Sequence, residues 1–425
     1  MQLRMAFRLF QQGQLDQAKA MCGELLEAGL QVPAALMLLS AILHRQGDQP
    51  AAVQHVLRAA SLQAGDTTAQ LQLIRALRNM GAFAEASKLL APLDKNSPEV
   101  ILSQNQLDWQ SGSYDRALAG FTAAACRWPG NLDLLLAYCR ALVRLGQLDL
   151  GEKTLLSALA RWPDQPEIAH LLAILQLDRS KPDLALGHLR CLAGKAGPDT
   201  MAQRLLVALQ ALHGEVQSPA SNHADAIERS FSWARNQSAN IRWFGSNTGL
   251  LQWAMQEIAA DSPAPGPVVE CGVYHGFSLA QIAASTERRV HGFDSFEGLP
   301  EEWKPGEPAG SYSTQGQTPP TAAHVKLHRG WFEDTLPGFA AQLHEPIALL
   351  HVDCDLYSST RTVLSILGPK LGKGSLLVFD DFLAYEGFEQ HEYRAAHEYF
   401  AVSEQRFGLV GAVLLGRAVA YRRLD

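Results

Sequence analysis

Five glycines recur through the first third of the chain at a nearly fixed interval. Gly13, Gly47, Gly81, Gly112 and Gly146 are separated by 34, 34, 31 and 34 residues. Five positions after each stands a small residue: Ala18, Ala52, Ala86, Ala117 and Gly151. Two positions after most stands a bulky one, Leu15, Phe83, Tyr114 and Leu148, with Gln49 the departure. Pro98, Pro129 and Pro163 fall seventeen residues after their glycines, and a further unit is read with Ser180 in the glycine place and Ala185 in the alanine place. In-phase recurrence at this length marks a stack of like units, each burying its apolar face only against the next. Two helices per unit, touching through the small residues, account for the period. The pattern predicts an α-helical solenoid of about six helix pairs over 1–214, with a short opening helix before Gly13.

These positions resemble the tetratricopeptide repeat (TPR), and the resemblance implies a curved stack with a concave groove. Such a groove serves as a docking surface for a partner protein or for another copy of this chain. A stack of this kind also serves as a rigid spacer or a dimerisation arm. Trp128 and Trp162 recur in phase before their prolines and are read as packing at repeat junctions.

The period ends at a polar stretch, Gly214–His223, which is the expected domain boundary. Residues 215–265 read as a linker and a mostly helical cover containing Trp233, Trp243, Phe244 and Trp253, and Pro263–Pro267 breaks the chain before a second domain, 266–425. There, short apolar runs alternate with helical segments. Val268–Cys271 is a strand, and Gly272 and Gly276 turn it into a helix beginning near Phe277. A glycine turn at that place lets a ligand approach the backbone, and the helix start offers free N–H groups. Arg289–Asp294 is a second strand; Asp294 stands 24 residues after Glu270, where an acid suits a ribose hydroxyl. The loop 301–323 is rich in Gly and Pro and has the length of a lid or binding loop. Val325–Arg329 is a third strand. Ile347–Val352 and Leu376–Phe379 flank a helical segment with Leu364, Leu367 and Leu371 in phase, and Gly372–Gly374 is a turn. That arrangement is a βαβ unit with a buried parallel pair. A helix over Gln390–Ser403 and a closing strand pair, Gly408–Leu415 and Ala418–Arg422, complete an α/β, Rossmann-like domain.

Both strands of the βαβ unit end in acids. Asp353 and Asp355 follow the first, and Asp380 and Asp381 follow the second. Ligands bind at the carboxyl ends of such strands, and neighbouring ends lie about 5 Å apart. Carboxylates gathered that closely repel unless protonated or bridged by a cation. A hard, oxygen-liganded ion such as Mg²⁺ is the natural occupant. Any single Asp here also suits a helix cap. His351, in the same strand, is expected to turn away from Asp353 and to serve the core or a supporting role.

Taken in order, ECGVYHG, FDSFEGLP, GWFEDTLP, HVDCDLYSST and FDDF resemble the class I S-adenosylmethionine-dependent methyltransferases, and most nearly the macrocin O-methyltransferase (TylF-like) family, which methylates sugar hydroxyls on natural products. The resemblance implies that Glu270, Gly272, Gly276 and Ser278 form the first cofactor motif, that Asp294 holds the cofactor ribose, and that Trp331 packs the adenine. It implies Asp353, Asp380 and Asp381 as metal ligands and Asp355 as general base. S-adenosyl-L-methionine and Mg²⁺ are the implied cofactors, and a hydroxylated small molecule or glycan is the implied acceptor. The typical natural-product enzymes lack the repeat half.

The chain carries 36 basic and 43 acidic residues, a net charge of −7, which argues against a nucleic-acid partner. No apolar run reaches the length of a membrane span. The opening stretch shows no secretory pattern, and the six sparse cysteines fit reduced, buried thiols, so a cytoplasmic location is expected. Two other readings stand beside the sugar O-methyltransferase. One is a scaffold with a non-catalytic cofactor-binding domain; the other is a catechol or phenol O-methyltransferase, since vicinal phenolic oxygens also chelate such a metal.

Overall fold

The computed structural model describes residues 2–191, 197, 200–215, 225–237, 240–259 and 264–425. The expected boundary at Gly214–His223 falls largely outside these residues, as does the first residue of the Pro263–Pro267 break. By compactness the chain forms two units: Met1–Tyr138 with Glu297–Gly316, and Cys139–Phe296 with Gln317–Asp425.

The first unit is a run of helix pairs: Gln2–Gln11 with Leu15–Glu27, Val32–Arg45 with Gln49–Leu62, Thr67–Asn79 with Phe83–Leu90, and Pro98–Gln110 with Tyr114–Arg127. The recurring glycines sit in the turns inside the pairs. Gly13, Gly47, Gly81 and Gly112 have φ of 76°, 80°, 71° and 79°, the left-handed region that side chains disfavour. The in-phase alanines Ala18, Ala52, Ala86 and Ala117 have no exposed surface, because the two helices of a pair close over them. One apolar core runs through this unit from Ala6 to Leu107. The long loop read as a lid contributes Glu297–Gly316, and Pro308 lies against the Gly47 turn.

The second unit opens with further repeat helices, Leu148–Arg161, Pro166–Asp178, Pro182–Arg190 and Met201–Leu212. Ser180 takes the glycine place with φ of 58°, and Ala185 is fully buried. An eight-stranded sheet follows, built from β1 (Arg242–Phe244), β2 (Val268–Cys271), β3 (Val290–Asp294), β4 (Val325–Arg329), β5 (Ile347–Val352), β6 (Leu371–Phe379), β7 (Phe407–Val413) and β8 (Val419–Arg423). Their order is β1-β7-β8-β6-β5-β2-β3-β4, with β8 antiparallel to both neighbours and the other pairs parallel. The chain builds outward from β2 through β3 to β4, then returns to place β5 on the other side of β2. The crevice at the carboxyl ends of β2 and β5 is therefore the topological switch point, where such sheets take ligands.

Helices Asn247–Ala259 and Phe277–Ala284 share one core with the sheet, in which Leu250, Trp253, Leu279 and Ile282 meet Val268, Leu349 and Leu376. Another layer is aromatic: Phe382 packs on Tyr393 at 5.3 Å and on Trp233 at 5.7 Å, and Phe400 packs on Tyr421 at 4.9 Å. Trp233 thus acts as cover.

The cover segment is mostly helical, as expected, with β1 pairing with β7 as an edge strand; three residues are too few to show an alternating pattern. One local expectation is corrected. Leu371 and Gly372–Gly374 belong to β6 rather than to a helix end and a turn. Ser375 makes this possible. Its hydroxyl accepts from the Gly372 N–H at 2.7 Å and donates to the Ile347 carbonyl at 2.6 Å, bridging a register shift between β5 and β6.

Candidate active site

Four elements of the second unit meet at the switch point. The first is the turn after β2. Gly272 has φ of 92°, and a Cβ there would overlap the backbone carbonyl of Asp353. Only a residue without a side chain lets the β2 and β5 ends run this close. Gly276, with φ of 74°, precedes helix Phe277–Ala284, whose second residue is Ser278. Asp294, at the end of β3, holds this turn: its Oδ2 accepts from the N–H groups of Val273 at 2.7 Å and Tyr274 at 2.8 Å, and its Oδ1 accepts from Phe296 N–H at 2.7 Å. A carboxylate has about four lone-pair positions, so these three bonds leave Asp294 capacity for a ligand hydroxyl. Trp331 follows β4, precedes helix Phe332–Ala341 and is exposed.

The second and third elements are the tips of β5 and β6. Carboxylate oxygens of Asp353, Asp380 and Asp381 lie within 4.8 Å of one another. The carboxyl of Asp353 is held well above the usual range by burial and by Asp380, with Asp355 and Asp381 adding to the effect and His351 opposing it. The donor set is all oxygen and carries excess negative charge, which fits a hard divalent cation. Asp355 stands outside this group of three and takes φ of 60°. Left-handed backbone is unusual for any residue with a side chain, and such strain collects at functional sites.

A buried histidine supports the group. His351 pairs in register with Glu270 and donates through Nδ1 to Glu270 Oε1 at 2.9 Å, while its Nε2 faces Asp380 Oδ1 at 3.8 Å. Burial disfavours charge on the ring, yet Asp380 and Glu270 hold its pKa well above the ordinary value. The expectation that His351 turns away from Asp353 is corrected. Alternation along a strand has period two, so residues 351 and 353 share a face. Glu270 itself has no exposure, and its Oε2 has no partner among the described residues.

Three further residues went unseen in the sequence. Glu392 opens helix Glu392–Val402, the fourth element, with no exposed surface. Its Oε1 accepts from Cys354 N–H at 3.3 Å and its Oε2 from Asp381 N–H at 3.2 Å, one from each strand tip. The ladder between β5 and β6 closes with the Asp380 N–H donating to the Val352 carbonyl at 3.0 Å, and this side chain cross-links the two tips beyond it. Arg417, between β7 and β8, donates to Asp381 Oδ1 at 2.5 Å. Asn247 donates to Asp380 Oδ1 at 2.9 Å. In the sequence, Glu392 reads as an ordinary acid in the first turn of a helix, and Asn247 as part of a helix start.

Residues 269–382 match a family model described as a methyltransferase domain, and residues 108–190 match a tetratricopeptide repeat model. The chain is 33% identical over 156 residues to the 8-demethyl-8-(2,3-dimethoxy-alpha-L-rhamnosyl)-tetracenomycin-C 4'-O-methyltransferase of Streptomyces olivaceus, covering 31% of this chain and 58% of that one. It is 29% identical over 174 residues to the mycinamicin III 3''-O-methyltransferase of Micromonospora griseorubida, covering 35% of this chain and 67% of that one. The matched stretch thus spans 58% and 67% of the length of these two relatives. Among solved structures, the O-methyltransferase NovP aligns at 21% identity with a TM-score of 0.34, covering 52% of this chain and 97% of that one.

Proposed function

We propose that this chain is an S-adenosylmethionine-dependent O-methyltransferase of the macrocin (TylF-like) kind, assisted by Mg²⁺ and acting on a hydroxyl of a sugar or glycosylated natural product. The observation that carries the reading is the convergence of Asp353, Asp380 and Asp381 within 4.8 Å beside a glycine turn at the switch point of the sheet. The two relatives named above are O-methyltransferases of glycosylated natural products, which supports a sugar hydroxyl over a phenol. The repeats would dock a partner protein, and the location would be cytoplasmic.

In this reading S-adenosylmethionine supplies an activated methyl group, and Mg²⁺ supplies a Lewis acid that lowers the pKa of the acceptor hydroxyl. The chain's own residues then orient and move a proton. The Gly272–Gly276 turn lets the cofactor lie on the backbone, and Ser278 sits in the first helical turn behind it. Asp294 shapes that turn through Val273 and Tyr274 and retains capacity for the ribose. Trp331 offers an exposed ring face to the adenine. Asp353, Asp380 and Asp381 would hold the cation. Asp355 would accept the proton of the acceptor hydroxyl as the oxygen attacks in line.

Asp380→Ala and Asp381→Ala are the direct test. Each should lower methyl transfer at least ~100-fold while leaving S-adenosylmethionine affinity within about twofold, and a chelator should reproduce the loss in the wild type. Undiminished activity in both variants with chelator present would rule out the cation. Cofactor binding with no turnover on any hydroxylated acceptor would favour a scaffold.

A further inference from the structure

We infer that the repeat segment of the second unit is a positioning element for the cation site, acting through a single turn that joins Asp178 to Asp380. The inference rests on the reading of Asp380 as a cation ligand.

The turn is Gly245–Asn247, between β1 and helix Asn247–Ala259. At one end it is gripped by Asp178, the last residue of the repeat helix Pro166–Asp178. Asp178 Oδ1 accepts from the N–H groups of Gly245 at 2.8 Å and Ser246 at 3.1 Å, and its Oδ2 accepts from the Ser246 hydroxyl at 2.7 Å. The Ser246 oxygen in turn accepts from Gly249 N–H at 2.9 Å and caps the helix. The end of helix Leu132–Arg144 also takes part, since the Thr248 hydroxyl donates to the Arg144 carbonyl at 2.8 Å. Glycine permits the close fit: a Cβ on Gly245 would overlap the backbone of Ile174, and one on Gly249 would overlap the Asp178 carboxylate. Asp178 is buried, so its bonds do not compete with bulk water.

At its other end the turn delivers Asn247, whose amide donates to Asp380 Oδ1. His351 addresses the same oxygen. The Asn247 hydrogen bond, with the His351 ring 3.8 Å from the same oxygen, restricts the rotation of the carboxylate and thus the direction of its second oxygen. A partner of this kind behind a ligand typically changes metal affinity 10–100-fold when removed. Among the described residues, the hydrogen bonds of the Asp178 carboxylate go to Gly245 and Ser246, not to the cation ligands or the cofactor turn. Its role is to hold the residue that holds the ligand.

Titration calorimetry with MgCl₂ on the full chain tests this, with Mn²⁺ paramagnetic resonance as a second reading of the same site. Asn247→Ala and Asp178→Ala should each weaken the cation about tenfold or more, with S-adenosylmethionine affinity and circular dichroism unchanged. Asp178→Asn keeps an acceptor for the two backbone N–H groups and should recover part of the loss. If Asp178→Ala does not fold, Asp178→Asn and Ser246→Ala carry the test, each expected to weaken the cation several-fold. Wild-type affinity in Asn247→Ala, or in both mild variants, overturns the inference and leaves the proposed function standing. A wild type that takes up no cation overturns both.

Discussion

Gly23 and Gly249 both lie within helices, and they mark two different kinds of helical structure. Gly23, in Leu15–Glu27 of the first unit, has open space where a Cβ would go. Gly249, in Asn247–Ala259 of the second unit, has the carboxylate of Asp178 there. The same contrast holds in turns. Gly81 needs glycine for its φ of 71° and nothing crowds it, whereas Gly245 has no left-handed φ and is crowded by backbone. At Gly81 glycine serves the conformation of a repeat turn. At Gly245 and Gly249 it serves the approach of a repeat helix to the segment that feeds the site.

The strongest way to break this contrast is Gly245→Ala. The atoms in the way belong to the Ile174 backbone and cannot swing aside. Loss of about 3 kcal/mol is expected, read as a fall of roughly 5–10 °C in thermal midpoint. An unchanged midpoint would mean that the approach is looser than the geometry indicates.

Asp178 sharpens the comparison through pH. Burial raises its carboxyl to about 6, against hydrogen bonds from Ser246 and Gly245 and the charge of Arg242. An unfolded Asp titrates near 3.8. Between these values the unfolded chain binds fewer protons than the folded one, so this group's contribution to stability falls as pH rises from about 4 to about 6 and is constant above. The change is on the order of 3 kcal/mol. Asp178→Asn lacks it, so the midpoint of the variant relative to wild type should rise by several degrees between pH 4.5 and pH 7.5. A difference independent of pH would refute the shifted carboxyl.

The smallest effects form a matched pair. Alanine for glycine within a helix ordinarily stabilises by about 0.5–1 kcal/mol, and Gly23→Ala should do so. Gly249→Ala should have the opposite sign, by about 1–2 kcal/mol, because its methyl displaces the Asp178 carboxylate. Denaturant midpoints of the two variants decide it, and equal signs would erase the distinction between the two kinds of helix.

The features legible in the sequence are those that repeat or that sit against a strong background. The repeat turns were readable because Gly13 to Gly146 and Ala18 to Ala185 recur in phase, and even the Ser180 substitution fell in place with positive φ. The acids were readable because Asp353, Asp380 and Asp381 end apolar runs; the switch point needed the strand order of the folded sheet. The residues behind them were not. Asn247 and Asp380 are 133 positions apart, and Asp178 and Gly245 are 67 apart. Neither pair leaves a local pattern. Glu392 looks like any first-turn acid until folding carries it under the strand tips. His351 was legible in principle, since its separation of two from Asp353 already puts both on one face.

Glu392 has a consequence for how the site breathes. Because its two oxygens receive the amide hydrogens of Cys354 and Asp381, those hydrogens are latched to the first turn of another helix rather than to the ladder. They become free to trade with solvent only when that turn lifts, and in the same moment the acids are left to β5–β6 pairing and to the side chains of Asn247 and Arg417. The cleft therefore opens from the helix inward, and its rim unlatches while the floor of the sheet stays shut.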